Sequence, residues 1–237
     1  MDQRVLIVIP AYNEEHTITA VIHGLRQAAP EFDRVIVNDG STDATGEILT
    51  RLGEKQLNLI QNLGYGQALQ TGLKYALIQG YAIVVSMDAD GQHQPKDVTR
   101  LVAALQENEA DMVIGSRFCD GNAYNTLIDR RLGQLLFSHL TNLLLRQRIY
   151  DTSSGFKAMR AAACRVIVNG AFMDFHIESI VKLRLANLKI IELPVTVHER
   201  KFGHSMHSFA SVFQYPLKMI LLTVVAIMDA YLVRRTK

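Results

Sequence analysis

The chain has 237 residues, 49% of them apolar, and a formal net charge of +2. That length and apolar content support a sizeable core, and so balanced a charge leaves no electrostatic footprint for nucleic acid. Two distant cysteines, Cys119 and Cys164, make neither a disulfide framework nor a zinc pattern, which suits a reducing compartment. A single basic residue precedes the first apolar run, so no signal-peptide pattern is present and cytoplasmic residence is expected.

Residues 5–9 form an apolar run stopped by Pro10, which predicts a first strand. Ile18, Val21, Ile22 and Leu25 then recur at helical spacing up to Pro30. Residues 34–38 predict a second strand, followed by Asp39-Gly40-Ser41-Thr42-Asp43, a loop dense in turn formers and caps. A helix through Ile48 and Leu52 leads to a short strand at 57–60. Asn62-Leu63-Gly64-Tyr65-Gly66 breaks the chain before a helix at about 67–78. Residues 82–87 predict a fourth strand, Pro95 opens the next helix, and 111–116 predict a fifth strand. Such alternation predicts a doubly wound α/β fold with a mostly parallel sheet flanked by helices.

After Arg117 the pattern changes. Residues 118–129 are polar and turn-rich, and 132–145 are apolar at helical spacing. Residues 151–160 read as a turn into a strand, 175–185 as a helix, and 189–197 as a strand whose Pro194 places it at an edge. The main domain is expected over 1–207. Residues 208–237 form an apolar or amphipathic tail whose uninterrupted apolar run, 219–228, is too short to span a bilayer. Arg234, Arg235 and Lys237 beyond it favour an anionic membrane surface, and a helix covering the core is an equal alternative.

The most informative stretch is Asp88-Ala89-Asp90-Gly91-Gln92-His93, just past the fourth strand. In open α/β sheets ligands collect at such carboxyl ends. Two carboxylates so close repel unless a cation lies between them. Hard oxygen donors suit Mg²⁺ or Mn²⁺, ions that also hold substrate phosphates. Neither G-x-G-x-x-G at the glycine loop nor a Walker A motif anywhere is present, which disfavours dinucleotide oxidoreductases and P-loop kinases.

Pro10-Ala11-Tyr12-Asn13-Glu14-Glu15, Asn38-Asp39-Gly40-Ser41-Thr42-Asp43, Asn62-Leu63-Gly64-Tyr65-Gly66, Asp88-Ala89-Asp90-Gly91-Gln92-His93, Gly115-Ser116-Arg117 and Ser154-Gly155-Phe156-Lys157 occur in that order. Together they resemble the family 2 glycosyltransferases of the GT-A fold, over about residues 4–205. Within that family the chain is similar to the polyprenyl-phosphate glycosyltransferases of the dolichyl-phosphate mannose synthase type. The finer likeness rests on the Asp-Ala-Asp-Gly-Gln-His form, Arg130-Arg131, Asp151-Thr152-Ser153-Ser154-Gly155-Phe156, and Arg200 with Gly203 and Ser205.

The resemblance implies roles. Pro10, Ala11, Tyr12, Glu14, Asp39, Asn62, Gly66, Asp88 and Ala89 would hold the nucleotide. Asp90 and Gln92 would bind Mg²⁺ or Mn²⁺. Arg117, Arg131, Arg200 and Ser205 would meet the acceptor phosphate. Catalysis would involve Asp88, Asp90, Arg117, Arg131 and Arg200. The implied reaction is inverting transfer of a sugar from a nucleoside diphosphate, UDP favoured, to a polyprenyl phosphate at the cytoplasmic face of the membrane. Delivery to that surface leaves room for a small integral membrane partner, and self-association is open.

Asp174 or Glu178 is expected to orient an arginine, or to serve as the base a hydroxyl acceptor would need. The loop Gly203-His204-Ser205-Met206 lacks the lysine usual in the resembling family. A glycan-extending transferase acting on a hydroxyl and a non-catalytic nucleotide-sugar scaffold are the alternatives. A nucleotidyltransferase is disfavoured, because Tyr12-Asn13-Glu14-Glu15 is acidic where a basic glycine-rich loop would be needed.

Overall fold

The computed structural model describes residues 3–119, 149–169 and 175–198. The expected loop beyond residue 119, the 132–145 helix, Asp174, Arg131, Arg200, Ser205 and the 208–237 tail lie outside the described residues. No helix among the described residues is long and apolar enough to cross a membrane.

The strands are β1 (Val5–Ala11), β2 (Asp33–Asn38), β3 (Gln56–Asn58), β4 (Ile83–Ser86), β5 (Met112–Ser116), β6 (Lys157–Arg160) and β7 (Ile190–Pro194). The helices are α1 (Ile18–Ala28), α2 (Thr45–Arg51), α3 (Tyr65–Ile78), α4 (Lys96–Glu107), α5 (Ala161–Val168) and α6 (Ile177–Leu185). They form one seven-stranded sheet in the order β3-β2-β1-β4-β6-β5-β7. Only β6 runs against its neighbours. The fold is therefore the mostly parallel, helix-flanked sheet expected, and β7 with Pro194 stands at an edge.

β1 runs two residues further than its proline suggests. It pairs with β4 only from Val5 to Val8, while its β2 ladder continues to Ala11. Pro10 thus sits where the β4 side no longer needs an N–H donor, so its missing hydrogen costs nothing. Helix α5 was not expected. It is a short element whose only cue is the burial of Ala163, Cys164 and Ile167.

Alternating residues of the central strands feed two cores. Leu6, Val8, Val35, Val37 and Val84 pack with α3, α5 and α6 on one face. Val5, Ile7, Ile9, Ile36, Ile83 and Val85 pack with α1, α2 and α4 on the other. This period-two division of apolar residues explains why the strands read as continuous apolar runs. The crossover from β3 through α3 to β4 covers the face opposite α1 and α2. The winding reverses between β1 and β4, which in open α/β sheets is where a ligand crevice forms at the carboxyl ends of the strands.

Close packing at this centre depends on Gly72 of α3. A Cβ there would lie 2.2 Å from Val8 Cγ1 and 3.3 Å from Val37 Cγ2. Gly72→Ala gains about 1 kcal/mol of helix propensity but forces overpacking that costs about 1–3 kcal/mol. Val8 is fully buried and has little room to yield. The expected outcome is net destabilisation, seen as a lower urea midpoint at unchanged slope. A higher midpoint would show that the helix can shift away from β1.

Candidate active site

Six strands point the same way, so the loops after β1, β2, β4 and β5 share one edge of the sheet. Two of these loops are stitched together. Asn13 adopts φ 54°, a left-handed conformation that asparagine tolerates. Its N–H donates to Ser41 Oγ (3.1 Å), and its Oδ1 accepts the Thr42 N–H (2.9 Å). The Glu14 N–H donates to Thr45 Oγ1 (2.9 Å), the Glu15 N–H to Asp43 Oδ2 (3.1 Å), and the Ala44 N–H to Glu15 Oε2 (3.0 Å). Burial alone would push the Asp43 carboxyl up; hydrogen bonds from Thr45 and Glu15 outweigh it and hold it low.

Asp39 is buried at the end of β2 and takes one backbone N–H on each oxygen, Leu63 at 2.8 Å and Gly64 at 2.9 Å. Its carboxylate therefore pins the glycine loop before α3 onto the end of β2. Gly40 makes that approach possible: at φ 65° its Cβ would stand 2.5 Å from the Gln61 carbonyl carbon. Each oxygen of Asp39 keeps further acceptor capacity for a ligand. Tyr12, just after β1, and Leu63, in the glycine loop, are solvent-exposed.

The loop after β4 carries the acidic pair. Asp90 Oδ1 accepts the Gln92 N–H at 3.0 Å around Gly91, whose φ is 74°. Gln92 donates through Nε2 to the His198 carbonyl (2.9 Å), and its own backbone carbonyl accepts the His198 N–H (2.9 Å). The Gln92 amide is thereby oriented with Oε1 as its acceptor end. Asp88 lies 3.5 Å from His93 Nε2 through Oδ2, and its Oδ1 is buried with no hydrogen-bond partner among the described residues. Burial pushes the Asp88 carboxyl up, but His93 first, then Tyr65 and His176, outweigh it and hold it below the usual range.

This donor set fits a divalent cation of the Mg²⁺ or Mn²⁺ class. Asp90 and Gln92 offer hard oxygens on one turn, and the buried Asp88 oxygen is unsatisfied beside them. No group of three or more His, Cys, Asp or Glu among the described residues could hold a metal ion, so any cation here would draw further ligands from elsewhere.

Arg117 follows β5 at the same edge. Its Nε and Nη2 bind Asp151 at 2.7 and 2.8 Å as a fork, Nη2 also donates to Ser153 Oγ (2.7 Å), and its backbone N–H meets Asp151. Asp151 is held in turn by Glu192, which accepts the Tyr150 and Asp151 N–H groups. Glu178 forms a buried ion pair with Lys182 at 2.7 Å. Sequence reasoning gave no role to His93, Tyr65, His176 or His198, although His93 and Tyr65 stand inside quoted motifs. No spacing rule brings residues 65, 176 and 198 to residues 88–92; only the folded sheet does.

The profile of Glycosyl transferase family 2 matches residues 6–168, and the chain belongs to that family. The chain is 34% identical to the undecaprenyl-phosphate mannosyltransferase of Micrococcus luteus over 215 residues, which is 86% of this chain and 88% of that one. It is 29% identical to the polyprenol monophosphomannose synthase of Mycolicibacterium smegmatis over 231 residues, covering 92% and 86%. It is also 29% identical to the UDP-N-acetylglucosamine–dolichyl-phosphate N-acetylglucosaminyltransferase of Methanococcus voltae over 216 residues, covering 82% and 85%. Glucosyl-3-phosphoglycerate synthase from Mycobacterium tuberculosis, crystallised with Mn²⁺, UDP and phosphoglyceric acid, shares the fold. Its TM-score is 0.70 at 21% identity, covering 95% of this chain and 78% of that one.

The Arg117–Asp151 pair makes a prediction about acid stability. Burial acts to raise the Asp151 carboxyl, but Arg117 more than reverses it, so the folded value lies below the unfolded one of about 3.9. The pair's contribution is present above that unfolded value. It is lost as the pH falls through the lower folded one. Asp151→Asn is expected to cost about 3 kcal/mol at pH 7 and to flatten the loss of stability below about pH 4. Urea melts across pH 2–7 check this; a variant with the wild-type pH profile would contradict it.

Proposed function

We propose that the protein transfers one sugar from a nucleoside diphosphate sugar, UDP favoured, to a polyprenyl phosphate at the cytoplasmic face of the membrane. The observation that carries this reading is the Asp88–Asp90–Gln92 turn at the winding reversal, facing the stitched loops of β1 and β2. The acceptor class is supported by the relatives from Micrococcus luteus, Mycolicibacterium smegmatis and Methanococcus voltae, whose names all specify a polyprenyl or dolichyl acceptor. Mn²⁺ and UDP in the synthase of like fold support a divalent ion and a uridine nucleotide.

In this reading Pro10, Ala11, Tyr12 and Glu14, with Asp39, Asn62 and Gly66, line the nucleoside. Asp88 and Ala89 lie at the ribose and diphosphate. Asp90 and Gln92 hold Mg²⁺ or Mn²⁺, which when bound offsets charge on the departing diphosphate. The phosphate oxygen of the lipid forms a bond to the anomeric carbon as the bond from that carbon to the nucleoside diphosphate breaks, and the configuration inverts. A phosphate monoester is already anionic near neutrality, so the chain needs only to align it and supplies no base. The commitment of Glu178 to Lys182 agrees with that.

Arg117 serves here as a held cation. Asp151 and Ser153 fix its plane, which lowers the entropy lost when it meets a phosphate. Arg131, Arg200 and Ser205 complete the proposed acceptor side. A small integral partner and self-association remain part of the proposal for membrane delivery.

The test uses the full chain with a short polyprenyl phosphate, Mn²⁺ and a panel of labelled UDP- and GDP-sugars. Butanol-extractable label is expected, falling at least about a hundredfold in Asp90→Ala. Label confined to a soluble glycan would replace the reading with hydroxyl transfer. Nucleotide binding without any transfer would leave a scaffold.

A further inference from the structure

We propose that His93 is a positioning residue for Asp88, holding its carboxylate on one side while Tyr65 walls it on the other above the bare backbone of Gly155. The inference rests on the donor-side role of Asp88 proposed above. Asp88 stands past the end of the β4 ladder, where a short acidic side chain would otherwise sample several rotamers. On one side, His93 Nε2 approaches Asp88 Oδ2 to 3.5 Å. The His93 ring is buried and lies against Phe156, centroids 4.7 Å apart. Its Nδ1 has no hydrogen-bond partner among the described residues, so the polar work of this imidazole is directed at Asp88.

On the other side, Tyr65 and Asp88 share the space over Gly155. A Cβ on Gly155 would lie 2.4 Å from Tyr65 Oη and 3.1 and 3.2 Å from the two Asp88 oxygens. Tyr65 is itself fixed, since its ring stacks on His176 at 5.3 Å and 8°. That histidine belongs to a turn whose carbonyls at Phe175 and His176 accept bonds from the buried Lys157 ammonium at 3.2 and 2.9 Å. The grip is thus anchored in the core, while about three-tenths of the Asp88 side chain still faces solvent. Buried polar groups left without a hydrogen-bond partner are costly.

Three variants separate positioning from simple packing. His93→Phe keeps a ring on Phe156 and removes the N–H, His93→Gln returns a donor, and Tyr65→Phe removes only the hydroxyl. With the nucleotide sugar active in the wild type, His93→Phe is expected to raise the donor KM about tenfold. His93→Gln is expected to recover most of that loss, and Tyr65→Phe, which keeps the ring beside Asp88, to leave donor KM within about twofold. Because His93 acts through Asp88, adding His93→Phe to Asp88→Asn should change donor KM by less than about twofold. Unchanged donor KM in a folded His93→Phe protein, or a full further loss on the Asp88→Asn background, would overturn the proposal. Failure of the wild type to transfer any sugar would instead end the functional reading. The His93–Asp88 coupling would then be decided by the same double-mutant cycle read in thermal denaturation, where additive effects would refute it.

Discussion

Negative charge gathered at one edge of the sheet is the constraint that shapes this protein. Asp39, Asp43, Asp88 and Asp90 follow strand ends on that side, and Asp151 precedes the reversed strand β6 there. Each has a different answer to the cost of holding a carboxylate near low-dielectric protein. Asp39 spends its charge on two backbone N–H groups, and Asp151 on a guanidinium fork. Asp43 takes N–H donors from two loops. Asp88 has a weaker answer among the described residues, an imidazole at 3.5 Å with one carboxylate oxygen left unsatisfied. The electrostatic deficit is therefore concentrated on the turn where a cation and a diphosphate are proposed to sit.

The fold puts that deficit in a usable place. Strands β1 and β4 are neighbours whose connections leave in opposite directions, the switch point at which open α/β sheets receive ligands. The loops flanking it are braced by side-chain bonds between residues 13–15 and 41–45, and by Asp39 at the glycine loop. The reversed strand β6 then closes the floor. Ser86 Oγ donates to the Gly155 carbonyl at 2.6 Å, which brings the backbone of residue 155 under Asp88. The segment past β7 docks on the same turn through His198 and Gln92. A preorganised site of this kind reduces the ordering that a substrate must otherwise supply.

Much of this was legible in the sequence, because strong local signals coincide with global structure. Apolar runs ending in turn residues located β1 to β5 to within a residue or two, while β7 stops at Pro194, three residues short of the expected end, and Pro194 marked an edge. The acidic turn was visible because two carboxylates so close repel unless a cation lies between them. Other features depend on contacts between distant segments. The antiparallel direction of β6 follows from its insertion between β4 and β5, which no periodicity encodes. Asp39 reads as a cap or a base-binding group, yet its immediate partners are the N–H groups of residues 63 and 64. The pairing of Arg117 with Asp151 joins two quoted motifs across 34 positions. Helix α5 was too short for its pattern to stand out from the strand before it.

A divalent cation held by Asp90 and Gln92 is proposed to link this acidic turn to the diphosphate of a nucleotide sugar. A crystal grown with Mn²⁺ and UDP, examined by anomalous scattering at the manganese edge, tests it most directly. The account predicts one strong peak within about 2.0–2.6 Å of oxygen ligands from Asp90 and Gln92, with phosphate oxygens on its far side and the base near Asp39. Nucleotide bound at another edge of the sheet, with the turn at residues 88–92 free of metal, would contradict it.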